Sequence, residues 1–259
     1  MRLLTPLLYI YINISLHLPF LIYPPYLHTP PPLVSPYTIP PFLQMFLNKS
    51  HQKLKKIPFI EENITHVDLR RNEIQDIFIS NSNIIYLDLS DNKISEISGI
   101  SNLKFCKILD LSYNLIKNIS NLPPNLNELY LIANDIKQCD SLNLKFCKIL
   151  DLAVNEIEDI NFLKGCDELK ELYLGSNKIR KINNKIELNN IILLDLQNNL
   201  LEEIDCSLLP PGIKTLLLSD NANLKRINNL EKLKELKLLT IERTKIKEIE
   251  VSEGIEVWR

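Results

Sequence analysis

Apolar residues recur along most of the chain in one pattern that ends on a polar residue. Two apolar residues separated by a single position lie five and three places before an asparagine, as Leu87 and Leu89 do before Asn92. Such an i, i+2 pair predicts a short β-strand with one buried face. The polar position recurs at steps of 20 to 23 residues, at Asn72, Asn92, Asn114, Asn134, Asn155, Asn177, Asn199, Asn221 and Thr244. The pattern predicts about nine repeats of one structural unit.

Further apolar positions flank each predicted strand. They lie eight places before the asparagine and two and five places after it, as Ile84, Ile94 and Ile97 do around Asn92. One coil cannot bury such a set alone, but coils stacked about 4.8 Å apart share one core and pair their strands into a parallel sheet. The seven to nine residues left on the outer side of most coils predict short 3₁₀ or single-turn α segments. We therefore expect a right-handed α/β solenoid with the sheet on its concave face.

The recurring asparagine is expected to hold the turn that follows each strand. Its amide can both donate to and accept from backbone groups that no sheet or helix pairs. In the eighth repeat Asn223 stands where the pattern expects isoleucine, and Leu224 and Ile227 follow one place late. We interpret this as a one-residue insertion and expect the sheet to continue past it.

The string LKFCKILDL occurs twice, at residues 103–111 and 144–152. We infer that the array grew by duplication of two coils. The repeats, which follow LxxLxLxxNxIxxI over residues 64–249, resemble leucine-rich repeats, and in particular the leucine-rich-repeat regulatory subunit of protein phosphatase-1. That resemblance implies an intracellular or nuclear protein that binds a phosphatase catalytic subunit on its concave face through acidic and aromatic residues.

The chain consists of two parts that differ in composition. Residues 1–48 hold ten of the fifteen prolines, and from Leu3 to Asn48 there is no Asp, Glu, Lys or Arg. No packed domain is expected there, and the leader is either disordered translated upstream sequence before a start at Met45 or a targeting or membrane segment in residues 1–23. Residues 49–63 are expected to cap the first coil of the 64–249 repeat domain. Residues 250–259 are expected to form a short C-terminal cap, with Trp258 covering the core.

Catalytic and cofactor chemistry have little support in the sequence. There is no HExxH, GxGxxG, P-loop or zinc-spaced Cys/His cluster, and only one histidine, His66, lies in the array. We therefore expect no enzyme, no cofactor and no small-molecule substrate. The net charge of −2 gives no drive toward nucleic acid. Five cysteines with no disulfide framework at the ends of the array favour a reducing cytoplasmic or nuclear compartment.

The residue between each pair of buried strand residues is expected to point out of the concave face. Because acids steer a basic partner and aromatics supply contact energy, we predict a protein-binding stripe there, while a short polar residue at any one position is equally consistent with structural filler. The predicted binding residues are Asp68, Asp88, Asp110, Tyr130, Asp151, Tyr173 and Asp195 at this position, with Tyr86 and Tyr113 at adjacent positions.

A second class of function remains open from the sequence. If residues 1–23 target the chain to a membrane or for secretion, the protein is a surface or adhesion protein. The sequons that begin at Asn63 and Asn118 are then glycosylated. Cell fractionation with glycosidase treatment distinguishes this alternative from the intracellular one.

Overall fold

The computed structural model describes residues 45–138, 142 and 144–259. Residues 1–44 of the leader, on which the targeting and upstream-sequence hypotheses depend, lie outside the described residues, as does Cys139. The last three residues of the 1–48 leader belong to the sheet. The described chain forms short strands of three residues each. They are β1 Phe46–Asn48, β2 His66–Asp68, β3 Tyr86–Asp88, β4 Ile108–Asp110, β5 Glu128–Tyr130, β6 Ile149–Asp151, β7 Glu171–Tyr173, β8 Leu193–Asp195, β9 Glu203–Asp205, β10 Thr215–Leu217, β11 Arg226–Asn228, β12 Leu238–Thr240 and β13 Glu256–Trp258.

The main sheet confirms the stacked-coil prediction. Its order is β1-β2-β3-β4-β5-β6-β7-β8-β10-β12-β13, so it contains eleven strands, and every neighbouring pair is parallel. The register is constant, with Leu87 opposite Val67 and Leu109 opposite Leu87. Each coil therefore places equivalent residues one above the other, and its inward leucines form one continuous core.

The outer side of the stack consists of short secondary-structure elements, as the spacing predicts. Three 3₁₀ helices occur in the described residues, at Asn161–Leu163, Cys206–Leu208 and Leu230–Lys232. A two-stranded parallel sheet pairs β9 with β11. None of the helical segments in the described part of the chain has the length and hydropathy that a membrane crossing requires.

The predicted asparagine ladder is confirmed. The Asn155 amide Nδ2 donates to the carbonyls of Leu152 in its own coil and Leu131 in the preceding coil, at 3.0 and 2.9 Å. Its Oδ1 accepts the backbone N–H of Ile136 at 3.1 Å. The side chain is buried, so it satisfies backbone groups that water cannot reach. The same pattern recurs at Asn92, Asn114, Asn134, Asn177, Asn199 and Asn221.

The insertion in the eighth repeat leaves the sheet intact, because β10 pairs directly with β12. The extra residue is absorbed in the turn. The backbone N–H of Lys245 bonds to the carbonyl of Leu224, where the equivalent bond in other coils goes to the residue two places after the asparagine, such as Ile94. Leu224 thus occupies the position that Asn223 would hold without the insertion.

Both ends differ from the sequence prediction. The sheet gains β1 before the nine predicted strands and β13 after them. The repeat pattern missed these strands because each contributes one inward residue, Leu47 or Val257, without a second apolar partner two places on. The prediction that Trp258 covers the core is wrong. The register places it opposite Thr240, on the outward face of the sheet, where its indole N–H donates to Glu256 at 2.6 Å.

Candidate functional site

The outward face of the main sheet presents two parallel rows of side chains. We call the residue between the two buried strand residues the middle row, and the residue two places earlier the leading row. The middle row contains Asn48, Asp68, Asp88, Asp110, Tyr130, Asp151, Tyr173, Asp195, Leu217, Thr240 and Trp258. The leading row contains Phe46, His66, Tyr86, Ile108, Glu128, Ile149, Glu171, Leu193, Thr215, Leu238 and Glu256.

All but two of the predicted binding residues lie in the middle row; Tyr86 is in the leading row and Tyr113 follows the strand. The middle row is much less accessible than a charged steering surface requires. Asp88 is 1% exposed, and Asp151 and Asp195 are 0% exposed. Side chains in a parallel sheet stand only about 4.8 Å from their equivalents in the next coil, so long neighbours flank Asp151 and Asp195 on both sides. Asp88 instead lies against the Tyr86 hydroxyl of its own strand. The binding role of this row stays a prediction, and the structure gives the row a second, structural role.

That structural role is a repeated turn at the end of the strand. In the five middle-row aspartates, one carboxylate oxygen accepts the backbone N–H two residues later, in the geometry of an Asx turn. The donors and distances are Arg70 to Asp68 at 3.2 Å, Ser90 to Asp88 at 2.9 Å, Ser112 to Asp110 at 2.8 Å, Ala153 to Asp151 at 2.9 Å and Gln197 to Asp195 at 2.9 Å. These aspartates therefore form a second ladder beside the asparagines.

Asp151 stands out within the middle row. It lies in register between Tyr130 and Tyr173, which are themselves buried and donate their hydroxyl protons to leading-row glutamates at 2.8 Å. Its Oδ2 is buried and has no hydrogen-bond partner among the described residues. Burial, helped by the Asp195 and Asp110 charges and opposed by the Ala153 N–H, raises the pKa of the carboxyl to about 8. The protonated form is therefore favoured at neutral pH.

Burial also raises the pKa of two other middle-row aspartates. Burial raises the pKa of Asp195 to about 6, against the hydrogen bonds from Gln197. Gly175 makes room for this carboxyl, since a Cβ there would lie 3.0 Å from Asp195 Oδ2. Burial and the Asp88 charge also raise the pKa of Asp68, although the Arg70 N–H and guanidinium lower it. The middle row thus carries less negative charge at neutral pH than its five aspartates suggest.

The two remaining tyrosines are more accessible. Tyr86 lies in an aromatic series with His66 and Phe46, with ring centroids 6.1 and 4.6 Å apart, and its hydroxyl donates to Asp88 Oδ2 at 3.4 Å. Tyr113 is 40% exposed and has a left-handed backbone with φ of 57°. Burial and nearby aspartates raise the pKa of both hydroxyls, so both remain hydrogen-bond donors.

The leading row is the accessible part of this face, and the sequence reasoning missed most of it. Across consecutive strands, aliphatic and acidic residues alternate, in the order Ile108, Glu128, Ile149, Glu171 and Leu193. All five are half-buried, so part of each side chain faces solvent. The available signal was the apolar residue that directly precedes an i, i+2 pair, because strand alternation forces it away from the core.

Reactive chemistry is not assembled in the described residues. The part of the chain that the structure covers contains no group of three or more His, Cys, Asp or Glu placed to hold a metal ion. Its four cysteines are free and buried. Burial raises the pKa of the Cys106, Cys147 and Cys206 thiols to about 12, so these thiols are not nucleophilic at neutral pH.

Comparison with known structures supports the same architecture. A leucine-rich-repeat domain of APL1B superposes with a TM-score of 0.64 at 22% identity, over 74% of this chain and 58% of that one. YopM from Yersinia enterocolitica WA-314 gives 0.61 at 22% identity, over 80% of this chain and 48% of that one. Internalin C2 from Listeria monocytogenes gives 0.51 at 24% identity, over 70% and 72%. The chain is a leucine-rich-repeat solenoid.

The sequence comparisons add little beyond this fold. No protein-family model matches the solenoid. Over 194 residues, 69% of the chain, it is 27% identical to a probable disease resistance protein of Arabidopsis thaliana, of which the match covers 11%. The solenoid thus spans about one ninth of that relative and about half of YopM, so activities of those whole proteins do not transfer to it by similarity.

Proposed function

We propose that the solenoid is a protein-interaction scaffold whose partner lies on the leading row of the concave face. The observation that carries the proposal is the alternation of half-exposed Ile108, Ile149 and Leu193 with Glu128 and Glu171 across consecutive strands. Such a row offers apolar contact at every second coil and negative charge between. Its complement is a partner surface of apolar residues interleaved with Lys or Arg.

The physical argument favours binding through a rigid surface. The strands that carry Ile108, Ile149 and Leu193 are hydrogen-bonded to a neighbour on both sides, so little backbone entropy is lost on association. The glutamates are also held in place, because Tyr130 and Tyr173 donate hydrogen bonds to them. Preorganised acids accelerate encounter with a basic partner, and the aliphatic residues slow its dissociation.

Two finer proposals concern the partner and the compartment. The partner that we propose is the catalytic subunit of protein phosphatase-1, on the basis of the repeat resemblance and of an acidic and aromatic concave face. We propose a cytoplasmic or nuclear location, supported by the four buried free thiols among the described residues. A chain that fractionates with membranes and shifts in mass on glycosidase treatment supports the surface-protein alternative instead.

The test is a pull-down from native extract with three forms of the full chain. The first is wild type, the second is Ile108→Asp/Ile149→Asp, and the third is the control Ile85→Asp/Ile192→Asp. The control makes the same change at exposed isoleucines, 39% and 38% accessible, that lie outside the leading row. We expect wild type and the control to recover the same proteins and the leading-row variant to lose them, with all three equally folded by circular dichroism.

The outcomes test the binding surface and the identity of the partner separately. Recovery of the same proteins by all three forms moves the interface off the concave face. Loss from the leading-row variant, without a phosphatase catalytic subunit among the lost proteins, keeps the scaffold and removes the phosphatase. Direct titration of purified catalytic subunit into wild type and the leading-row variant then decides the finer proposal, which requires binding to wild type that the variant weakens at least about tenfold.

A further inference from the structure

The duplicated string places the same exposed side chains on one edge of the stack. In each copy of LKFCK the leucine and the cysteine are buried, whereas the phenylalanine and both lysines face solvent. We call the six exposed residues the lysine-phenylalanine patch: Lys104, Phe105, Lys107, Lys145, Phe146 and Lys148. The patch lies just before β4 and β6, where the strands begin, and is therefore separate from both rows of the concave face.

Both phenylalanines of the patch are exposed. Phe105 is 58% exposed and Phe146 is 44% exposed. Beside Phe146 lies a surface depression of about 340 Å³, lined also by Lys107, Asn125, Asn127, Lys148 and Glu168. An apolar side chain that enters such a depression covers ring surface that water otherwise contacts. The depression thus offers apolar contact with cations on two sides.

The lysines of the patch carry charge that the described residues do not neutralise. None of the four forms an ion pair with a described carboxylate. Lys107 Nζ donates to the Asn125 carbonyl at 3.2 Å, and Lys145 Nζ lies 5.7 Å from the centroid of the Phe146 ring. Some other surface cations are paired across neighbouring coils, as Lys93 is with Glu73 and Arg226 with Glu203. The four patch lysines have no such partner among the described residues and are available to carboxylates of another protein.

The backbone beneath the patch is held rigidly from coil to coil. The N–H of Asn127 donates to the Lys107 carbonyl, and the N–H of Lys148 donates to the Asn127 carbonyl, both at 2.7 Å. The Asn125 side chain also donates to the Lys104 carbonyl at 2.8 Å. Lys107 and Lys148 are therefore fixed two coil steps apart, which is about 10 Å.

We propose that the lysine-phenylalanine patch binds an extended acidic segment of a partner protein, with an apolar side chain of that segment in the depression beside Phe146. A segment in the extended polyproline II conformation has three residues per turn and rises about 3.1 Å per residue. Acids three positions apart therefore lie on one face about 9 Å apart, which is close to the spacing of Lys107 and Lys148. A polyanion such as single-stranded nucleic acid fits less well. Glu168 lines the same depression and interrupts the positive charge, and the whole chain carries a net charge of −2.

The test uses a fluorescein-labelled peptide of repeated Glu-Leu-Ser, with Gln-Leu-Ser as the uncharged peptide, in fluorescence anisotropy titrations of the full chain. Lys107→Glu/Lys148→Glu should weaken binding of the acidic peptide at least about tenfold, and the effect should shrink as salt screens the charges. Phe105→Ala/Phe146→Ala should weaken it about three- to tenfold without changing the salt dependence.

Lys214→Glu/Lys237→Glu is the matched charge control. Both lysines are exposed and hold the same position relative to the strand as Lys107, but no phenylalanine accompanies them. This control should change the affinity less than about twofold.

Four results overturn the proposal. The first two are absence of saturable binding of the acidic peptide to wild type, and an equal loss of affinity in the lysine patch variant and the charge control. The third is equal affinity of wild type for the Gln-Leu-Ser peptide. The fourth is displacement of the acidic peptide by a single-stranded oligonucleotide at a lower concentration than by unlabelled peptide. The last result assigns the patch to nucleic acid instead of protein.

Discussion

Replacing Asp151 by asparagine should stabilise the solenoid in a way that depends on pH. The amide side chain keeps the oxygen that accepts the Ala153 N–H, and it replaces Oδ2, which has no partner among the described residues. Below about pH 4 the wild-type carboxyl is neutral in both the folded and the unfolded chain, so acid and amide leave a similar unsatisfied group and the two proteins should have similar stability. Above that pH the unfolded wild-type chain ionises the carboxyl, whereas the folded chain must either keep it protonated or bury a charge. The amide of the variant does neither.

The size of the effect follows from the pKa of the carboxyl, which burial raises from 3.8 to about 8. A group with a raised folded-state pKa contributes stability below its unfolded value and loses that contribution as the pH rises toward the folded value. At about 1.4 kcal/mol per pKa unit, the loss approaches about 6 kcal/mol. Motion of the flanking tyrosine rings and entry of water reduce it, so we expect the Asp151→Asn variant to gain about 2 to 4 kcal/mol relative to wild type between about pH 4 and pH 8.

The assay is urea unfolding at a series of pH values, with thermal melts in parallel. For a domain of this size the expected gain corresponds to a rise in Tm of roughly 5 to 15 °C at about pH 8. Asp205→Asn is the matched control of opposite sign, because Asp205 makes the same turn to Ser207 and also accepts from Asn229. Those hydrogen bonds lower its pKa, so its contribution is present at neutral pH and is lost as the pH falls. A stabilisation by Asp151→Asn that is equal at about pH 4 and about pH 8, or a destabilisation at about pH 8, refutes the reasoning.

The other predictions test single features of the coil. Asn155→Ala should cost about 1 to 3 kcal/mol, because it strands buried backbone groups, and a melting temperature within error of wild type contradicts the ladder. Val154 has a left-handed backbone, with φ of 57°, that β-branched residues avoid. Val154→Asn should therefore gain about 0.5 to 1 kcal/mol by calorimetry, and the reverse change at the equivalent Asn198 should lose stability. A Cβ on Gly99 would lie 2.5 Å from a backbone oxygen, so Gly99→Ala should cost at least about 2 kcal/mol. Gly254→Ala, with open space around it, should cost about 1 kcal/mol or less.

The sequence predicted the inward half of the molecule almost completely. Strand positions, parallel pairing and the asparagine bonds all follow from one requirement, namely that equivalent residues stack on each other. Leu109 and Asn114 meet that requirement in the same way as their counterparts in the neighbouring coils, so one coil is enough to predict the rest. The terminal strands were missed for the same reason, because β1 and β13 contribute Leu47 and Val257 without the full apolar set.

The exposure of the outward-facing side chains could not be predicted as well, because it depends on neighbouring side chains in other coils. Asp151 is buried by Tyr130 and Tyr173, which lie about 20 residues away on either side along the chain. Nothing within its own coil indicates this. A usable signal does exist in the aligned repeats, where a short acid stands between two tyrosines at the same position. Strands about 4.8 Å apart force such side chains together.

This difference decides which substitutions can report on binding. A direct test of steering by the middle-row aspartates would replace Asp88, Asp110 and Asp151 by lysine. That variant would place three cations at positions where the side chains are at most 8% exposed. Each would also remove the acceptor of a strand-ending turn. Burying an unpaired charge costs several kcal/mol, so loss of a partner from that variant would follow from unfolding whether or not the aspartates touch the partner. The leading row avoids this ambiguity, because Ile108 and Ile149 are partly exposed and hold no turn. A change there alters the surface while the two ladders beneath it remain.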